Sequence, residues 1–248
     1  MRVVAFDLDD TLAPSKSRVP SDVAAALRRL LDAYEVCVIS GGQLAQFETQ
    51  LVAHLDATPA QLDRLHLMPT CGTQYYRYRD GQRWCVYRHN LDPEQRRQLI
   101  AALEREARRL NLWENETWGP IIEDRGSQVT YSALGQEAPL DAKRAWDPTG
   151  EKKQALAAAI RPQFPDLEVR GGGSTSVDIT ARGVDKAYGM ARLCEALEVE
   201  RDAVLFIGDR LDKDGNDYPV KAAGYSTIAV TGWWETAELI NRALDGGE

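Results

Sequence analysis

The sequence predicts an α/β fold, a three-layer core around a parallel sheet with an α+β insert. Three observations predict it. Short apolar runs alternate with helical patterns over the first 70 residues and again from Gly183 onward, the rhythm of parallel strands joined by crossover helices. Several of these runs end abruptly in polar residues: Asp7 and Asp9, Ser40, and Asp209. Between about residues 75 and 181 the pattern changes to hairpin signals and alternating strands. The core is therefore expected at 1–74 and 182–248, and the insert at 75–181.

Val3-Val4-Ala5-Phe6 reads as a buried first strand running into Asp7-Leu8-Asp9-Asp10. Pro14 and Pro20 punctuate the loop that follows. Ser21 is the expected N-cap of a helix in which Val23, Ala26, Leu27, Leu30 and Leu31 recur at helical spacing. Val36 to Ile39 is a second strand ending at Ser40-Gly41-Gly42, followed by a helix from about Leu44 to Leu55 and a strand at Leu65–Met68. Tyr75 to Tyr87 reads as a hairpin around Asp80-Gly81. Its aromatics suit either a homodimer interface or the core of the insert. Asp92 or Pro93 opens a helix through Leu110. Strand-like residues occupy Ile121 to Leu134, a helix Pro148 to Ile160, and further strands Leu167 to Thr180. After Gly183 come a helix from Asp185 to Leu197, a strand Ala203 to Ile207, a strand Thr227 to Val230 and a helix Thr236 to Leu244.

Composition narrows the function. The chain has 248 residues, 44% hydrophobic and 27% charged, which suits one large globular domain or two smaller ones. A net charge of −8 argues against a nucleic-acid or anionic-membrane surface, though one basic pocket still suits a small anionic substrate. No apolar run approaches the ~20 residues that span a bilayer, and the apolar start is too short for a signal peptide. Cys37, Cys71, Cys85 and Cys194 are widely spaced. They read as reduced thiols of a cytoplasmic protein, without zinc-site spacing.

In an open α/β sheet, ligands bind beyond the carboxyl ends of the strands. Asp7 and Asp9 would sit there. Two carboxylates so close repel unless a cation or a proton is shared between them, and Mg²⁺ prefers such oxygen ligands. Singly, Ser40 reads as a turn residue, Asp209 as an Asx-turn and Lys186 as a surface charge. Together they suit phosphoryl transfer, which needs a nucleophile, a metal, hydrogen-bond donors and a fixed cation.

These residues resemble the four signature motifs of the haloacid dehalogenase (HAD) phosphatase superfamily: Asp7-Leu8-Asp9-Asp10-Thr11-Leu12, Ser40, Lys186, and Gly208-Asp209 with Asn216-Asp217. The resemblance implies a Rossmann-like core with a large inserted cap. It implies Asp7 as nucleophile and Asp9 as general acid/base. It implies Mg²⁺ held by Asp7, the Asp9 main-chain carbonyl and Asp209, with Asn216 and Asp217 in support. Ser40 and Lys186 would bind the phosphoryl group, with Thr11 and Gly41 beside them. Asp10 replaces a glycine common in that family, and its side chain is expected to crowd the loop.

Finer features resemble the eukaryotic-type phosphomannomutase branch. Lys16 falls where that branch carries a substrate-binding arginine. Arg125 in Ile122-Glu123-Asp124-Arg125-Gly126 falls on a distal-phosphate arginine, and Ser176 and Asp178 on sugar-binding residues. The sequence also departs from the branch. A second cap arginine falls at Gln136, a third near Lys143 or Arg144, and an acidic metal loop expected after Asp217 is replaced by Tyr218-Pro219-Val220-Lys221. A mutase must grip phosphate at either end of a sugar bisphosphate. An arginine fork does so bidentately, and Gln or Lys does not. The expectation is thus a Mg²⁺-dependent phosphatase of phosphorylated sugars, with a hexose-phosphate mutase as the second reading. A receiver-like phospho-acceptor module is remote, because it would lack the insert. A dinucleotide-binding domain is disfavoured because no G-x-G-x-x-G follows the first strand.

Overall fold

The computed structural model describes residues 2–246. The chain divides into two compact units, one comprising the segments up to Arg88 and from Asp185, the other His89–Val184. In chain order the strands are β1 (Val3–Phe6), β2 (Glu35–Ile39), β3 (Leu65–Met68), β4 (Gln74–Arg79), β5 (Gln82–Arg88), β6 (Ile122–Asp124), β7 (Gln128–Ser132), β8 (Leu167–Gly171), β9 (Ser176–Ala181), β10 (Val204–Gly208) and β11 (Ser226–Ala229). The mixed α/β architecture, with one parallel-dominated sheet and one separate antiparallel sheet, is the expected one.

The first unit is built on a seven-stranded sheet of order β11-β10-β1-β2-β3-β4-β5. β11, β10, β1, β2 and β3 run parallel. Side chains of successive residues alternate between its faces. Val4, Phe6, Val36, Val38, Leu65 and Leu67 pack with the helices Ser21–Ala33 and Trp233–Leu244. Val3, Ala5, Cys37, Ile39, Met68 and Phe206 pack on the other side with Met190 and Leu193 of the helix Lys186–Leu197. Both faces are covered, so β1 and β10, both interior strands of the sheet, carry no polar side chain.

The hairpin β4–β5 belongs to this sheet, not to the insert. β4 pairs antiparallel with β3, with His66 opposite Arg77, and Tyr75, Tyr76 and Tyr78 are buried in the cores of the first unit. The change of texture at residue 75 marks a reversal of strand direction, and the unit boundary falls at Arg88/His89 instead of 74/75. The two-residue turn Asp80-Gly81 has φ of 51° and 75°, the left-handed pair that a tight hairpin needs.

Three helix details differ from expectation. Pro20 caps the helix Ser21–Ala33; Ser21 is its first helical residue, and no side chain caps it. The helix after Ser40 is broken into Leu44–Phe47, a π-helical turn Glu48–Val52 and Ala53–Leu55. Asp92 does cap the helix Pro93–Arg109, accepting from the amides of Glu94 and Gln95. The helix expected from Pro148 begins at Glu151, and the carboxylate of Asp147 accepts from the amides of Lys152 and Lys153.

The second unit holds a four-stranded antiparallel sheet of order β6-β7-β9-β8. Val129, Tyr131, Val169, Val177 and Ile179 face a core shared with the helices Pro93–Arg109 and Glu151–Ile160. The alternate positions of β7 and β9, including Thr130, Ser132, Ser176 and Asp178, are polar. Among the described residues no helix is long and apolar enough to cross a membrane.

Candidate active site

Strand order decides where the acidic residues meet. From β1 the chain moves outward through β2 and β3, then returns to lay β10 on the other side of β1. β1 and β10 therefore flank the topological switch point, where open α/β sheets bind their ligands. Phe6 lies in register with both Val38 and Ile207. The next residues beyond these strands, Asp7, Ser40 and Asp209, therefore reach one edge of the sheet.

Asp7, Asp209 and Asp217 each offer a carboxylate oxygen within 4.8 Å of the others. Lys186, at the first turn of its helix, lies among them. Its Nζ donates to Asp7 Oδ1 and to Asp217 Oδ1, each at 2.5 Å. Lys186 is 1% exposed, Asp7 4% and Asp217 0%. Burial alone would push the ammonium of Lys186 down, but Asp7 and Asp217 overrule it and hold it above its ordinary value. The carboxyl of Asp7 is pushed up to about 7 by burial; Lys186 opposes the shift and Asp217 reinforces it. Asp209 is raised as well, by burial and then by Asp217. One lysine thus does not balance three carboxylates.

That imbalance tests the fit of a metal. A hard divalent cation suits an all-carboxylate donor set and would neutralise the remaining charge, so these residues fit Mg²⁺. Asp217, expected only in support, is a full member of the cluster and also accepts from the amide of Arg210. The carboxylate of Asp9 lies outside it; the resemblance gives metal binding to the main-chain carbonyl of Asp9, not to its side chain. Asn216 is exposed.

Around the cluster, Thr11 Oγ1 donates to Asp209 Oδ1 at 3.2 Å, and the Thr11 carbonyl accepts from Thr236 at 2.7 Å. Ser40 is buried, and its Oγ accepts from the Gly42 amide across half-buried Gly41. Asp10 does not crowd the loop. It is exposed at φ 62°, a left-handed conformation that aspartate tolerates, and its carboxylate accepts from the Ser15 amide.

Asp9 is held on the other side of this loop. Lys16 Nζ reaches Asp9 Oδ2 at 3.0 Å, and Gln46 Nε2 reaches the same oxygen at 2.9 Å. Burial pushes the Asp9 carboxyl up, but Lys16 and then Gln46 outweigh it and hold it below its ordinary value. Gln46 carried no signal in the sequence, because a glutamine one turn into a helix is ordinary.

Sequence reasoning also missed a left-handed turn after β3. Thr70 and Cys71 have φ of 49° and 55°, unusual for residues with side chains. Their amides donate to the carbonyls of Gly42 and Ser40 and so fix the Ser40–Gly42 loop from below.

In the second unit, Asp178 Oδ1 accepts from Thr130 Oγ1 at 2.7 Å and Gln128 Nε2 at 3.0 Å. Ser176 and Ser132 share a hydrogen bond at 3.0 Å, and Gln136 Nε2 donates to Ser132 Oγ. Lys143 Nζ donates to the Gln136 carbonyl at 2.7 Å. Arg125 is 9% exposed and forks onto Glu123 Oε2 at 3.0 and 2.5 Å.

The family model for haloacid dehalogenase-like hydrolases matches residues 4–229, nearly the whole chain and both ends of the site. The chain belongs to that family. Among relatives of this HAD-like hydrolase, phosphomannomutase 1 of Mus musculus is 24% identical over 233 residues, covering 90% of this chain and 86% of the relative. The phosphomannomutase of Saccharomyces cerevisiae is 25% identical over 227 residues, with 88% and 84% covered. Among solved structures, a haloacid dehalogenase-like hydrolase of Bacteroides thetaiotaomicron superposes with a TM-score of 0.68 at 16% identity, covering 98% of this chain and 99% of that one. The HAD-like hydrolase described here is thus related to phosphomannomutases.

Proposed function

We propose that this protein is a Mg²⁺-dependent phosphatase of phosphorylated sugars that works through an aspartyl phosphate on Asp7. The observation that carries the reading is the buried cluster in which Lys186 bridges Asp7 and Asp217 beside Asp209. A carboxylate at the end of a buried strand, facing a fixed cation, is a nucleophile placed where an anionic phosphoryl group is attracted.

The proposed roles are those that the family resemblance implies. Asp7 Oδ attacks phosphorus, and the sugar oxygen departs with a proton from Asp9. Water then attacks the same phosphorus, the bond to Asp7 breaks, and the carboxylate of Asp9 takes the water's proton. Lys186, Ser40 and the Thr11–Gly41 surroundings bind the phosphoryl oxygens. Asp7, Asp209 and Asp217 would hold Mg²⁺, which when bound neutralises charge on the transferring group. Lys16, Arg125, Lys143, Ser176 and Asp178 are the candidate contacts for the sugar. The four cysteines form no disulfide with one another, which suits a reducing compartment, and we assign the protein to the cytoplasm.

A mutase is the second reading, favoured by the relatives named phosphomannomutase. Two observations weigh toward hydrolysis. The Arg125 fork is engaged by Glu123, and Gln136 is bound to Ser132, so the second unit offers fewer forks for a distal phosphate. The test is incubation with mannose 1-phosphate with and without a trace of hexose bisphosphate. Free phosphate as the main product is expected; mannose 6-phosphate would establish the mutase. Asp7→Asn and EDTA should each abolish turnover, and full activity of Asp7→Asn would overturn the mechanism.

A further inference from the structure

Both oxygens of the Asp9 carboxylate are bound, and two of the four bonds come from one residue. Oδ1 accepts from the Lys16 amide at 2.9 Å and from Gln50 Nε2 at 3.2 Å. Oδ2 accepts from Lys16 Nζ at 3.0 Å and from Gln46 Nε2 at 2.9 Å. Gln46 closes the ring, because its Oε1 accepts from the same Lys16 Nζ at 2.8 Å. One face of the Gln46 amide thus reads the ammonium and the other reads the carboxylate.

Two local irregularities make this arrangement. Lys16 has φ 57°, a left-handed conformation that is unfavourable for a residue with a side chain. That conformation accompanies an arrangement in which its amide and its ammonium meet opposite oxygens of one carboxylate. Gln46 and Gln50 lie on either side of the entry into the π-helical turn Glu48–Val52, and both reach Asp9. Such turns are rare and frequent at functional sites.

We infer that Gln46, acting with Lys16, is a positioning residue that sets the orientation of the Asp9 carboxylate for proton transfer from water. The inference rests on the proposed aspartyl-phosphate mechanism. In the step concerned, the water oxygen bonds to phosphorus, the Asp7 Oδ–phosphorus bond breaks, and the water proton passes to Asp9. Asp7 leaves as a carboxylate and inorganic phosphate is released. A carboxylate free to rotate would present the wrong lone pair to that water for most of the time.

p-Nitrophenyl phosphate separates this step from the first one, because nitrophenolate departs without help from an acid. Stopped-flow release of nitrophenolate from the full chain is compared for wild type, Gln46→Met, Gln46→Glu and Asp9→Asn. The isosteric Met removes both contacts, and Glu places an acceptor against an acceptor. Both Gln46 variants should show a full-site burst followed by a steady rate lowered about tenfold or more, the share of general-base catalysis that orientation controls. A fold defect would instead lower burst and steady rate together. Wild-type bursts and steady rates in both variants, with Asp9→Asn slowed, would overturn the inference and leave the mechanism standing. A wild-type rate in Asp9→Asn, or no turnover by the wild type, would overturn the inference together with the reading beneath it.

Discussion

Gly72 and Gly189 touch backbone to backbone. A Cβ on Gly72 would lie 2.4 Å from Gly189 Cα, and one on Gly189 would lie 2.6 Å from the Cys71 carbonyl oxygen. The helix that presents Lys186 is therefore packed directly on the left-handed turn that fixes the Ser40–Gly42 loop.

Gly189→Ala should separate these two supports. The added methyl meets backbone and Ile39, neither of which can give way cheaply. A loss of about 1–3 kcal/mol is expected from overpacking, measured by urea denaturation. Turnover should fall with it, because the same contact supports both the helix of Lys186 and the turn that fixes the Ser40–Gly42 loop.

Lys186→Met removes the cation shared by two buried carboxylates. A buried pair broken on one side costs about 3–5 kcal/mol, here partly relieved by protonation of Asp7. Urea denaturation without added metal should show a clear loss of stability at pH 7 that shrinks at lower pH. Equal stability at both pH values would mean that Lys186 does not hold the carboxylates together.

His66 gives a pH prediction away from the cluster. Its Nδ1 is 2.7 Å from Tyr75 Oη and its Nε2 is 2.8 Å from Glu35 Oε2. A neutral ring satisfies both: Nε2–H donates to the Glu35 carboxylate and Nδ1 accepts from the tyrosine. Burial pushes the His66 imidazole below its ordinary value of 6.5, although Glu35 opposes this. Between the folded and unfolded values the unfolded chain binds more protons, so stability rises with pH there. Its contribution is complete above about 6.5 and is lost as pH falls toward the folded value. The stability difference between wild type and His66→Asn should grow from pH 5 to pH 8, since the titration of Asp7 and Asp209 is common to both.

Arg125→Ala tests whether the second unit reads substrate. Loss of a charged hydrogen-bonding fork to a sugar phosphate should cost about tenfold or more in kcat/KM. Turnover of p-nitrophenyl phosphate should change far less. Equal losses on the two substrates would assign Arg125 to structure, through its pair with Glu123.

The strands and the acidic ends were legible because chemistry and periodicity coincide there. Four buried apolar residues followed by Asp7 read alone as a strand running into a solvated acidic turn; Ser40, Lys186 and Asp209 at matching places turn that reading into a site. The hairpin was placed in the wrong unit because an antiparallel strand added to a parallel sheet has the same alternation as an independent one; only pairing with β3 decides it. Asp217 was read as supporting because its role depends on reaching Lys186, 31 positions earlier. The left-handed conformation of Thr70 and Cys71 had no local signal, since neither residue is a glycine, an asparagine or an aspartate.

The register of Val3 with Val204 has a consequence for synthesis. Once synthesised, β1 lacks its neighbour β10 until some two hundred residues later. At ordinary elongation rates that wait is about 10–40 s. Throughout it, Asp7 has neither Lys186 nor Asp209 beside it, so a chain interrupted there lacks the carboxylate–lysine cluster. The cluster is assembled only when the last parallel strands close the sheet, and a translation product abandoned before that point cannot form it.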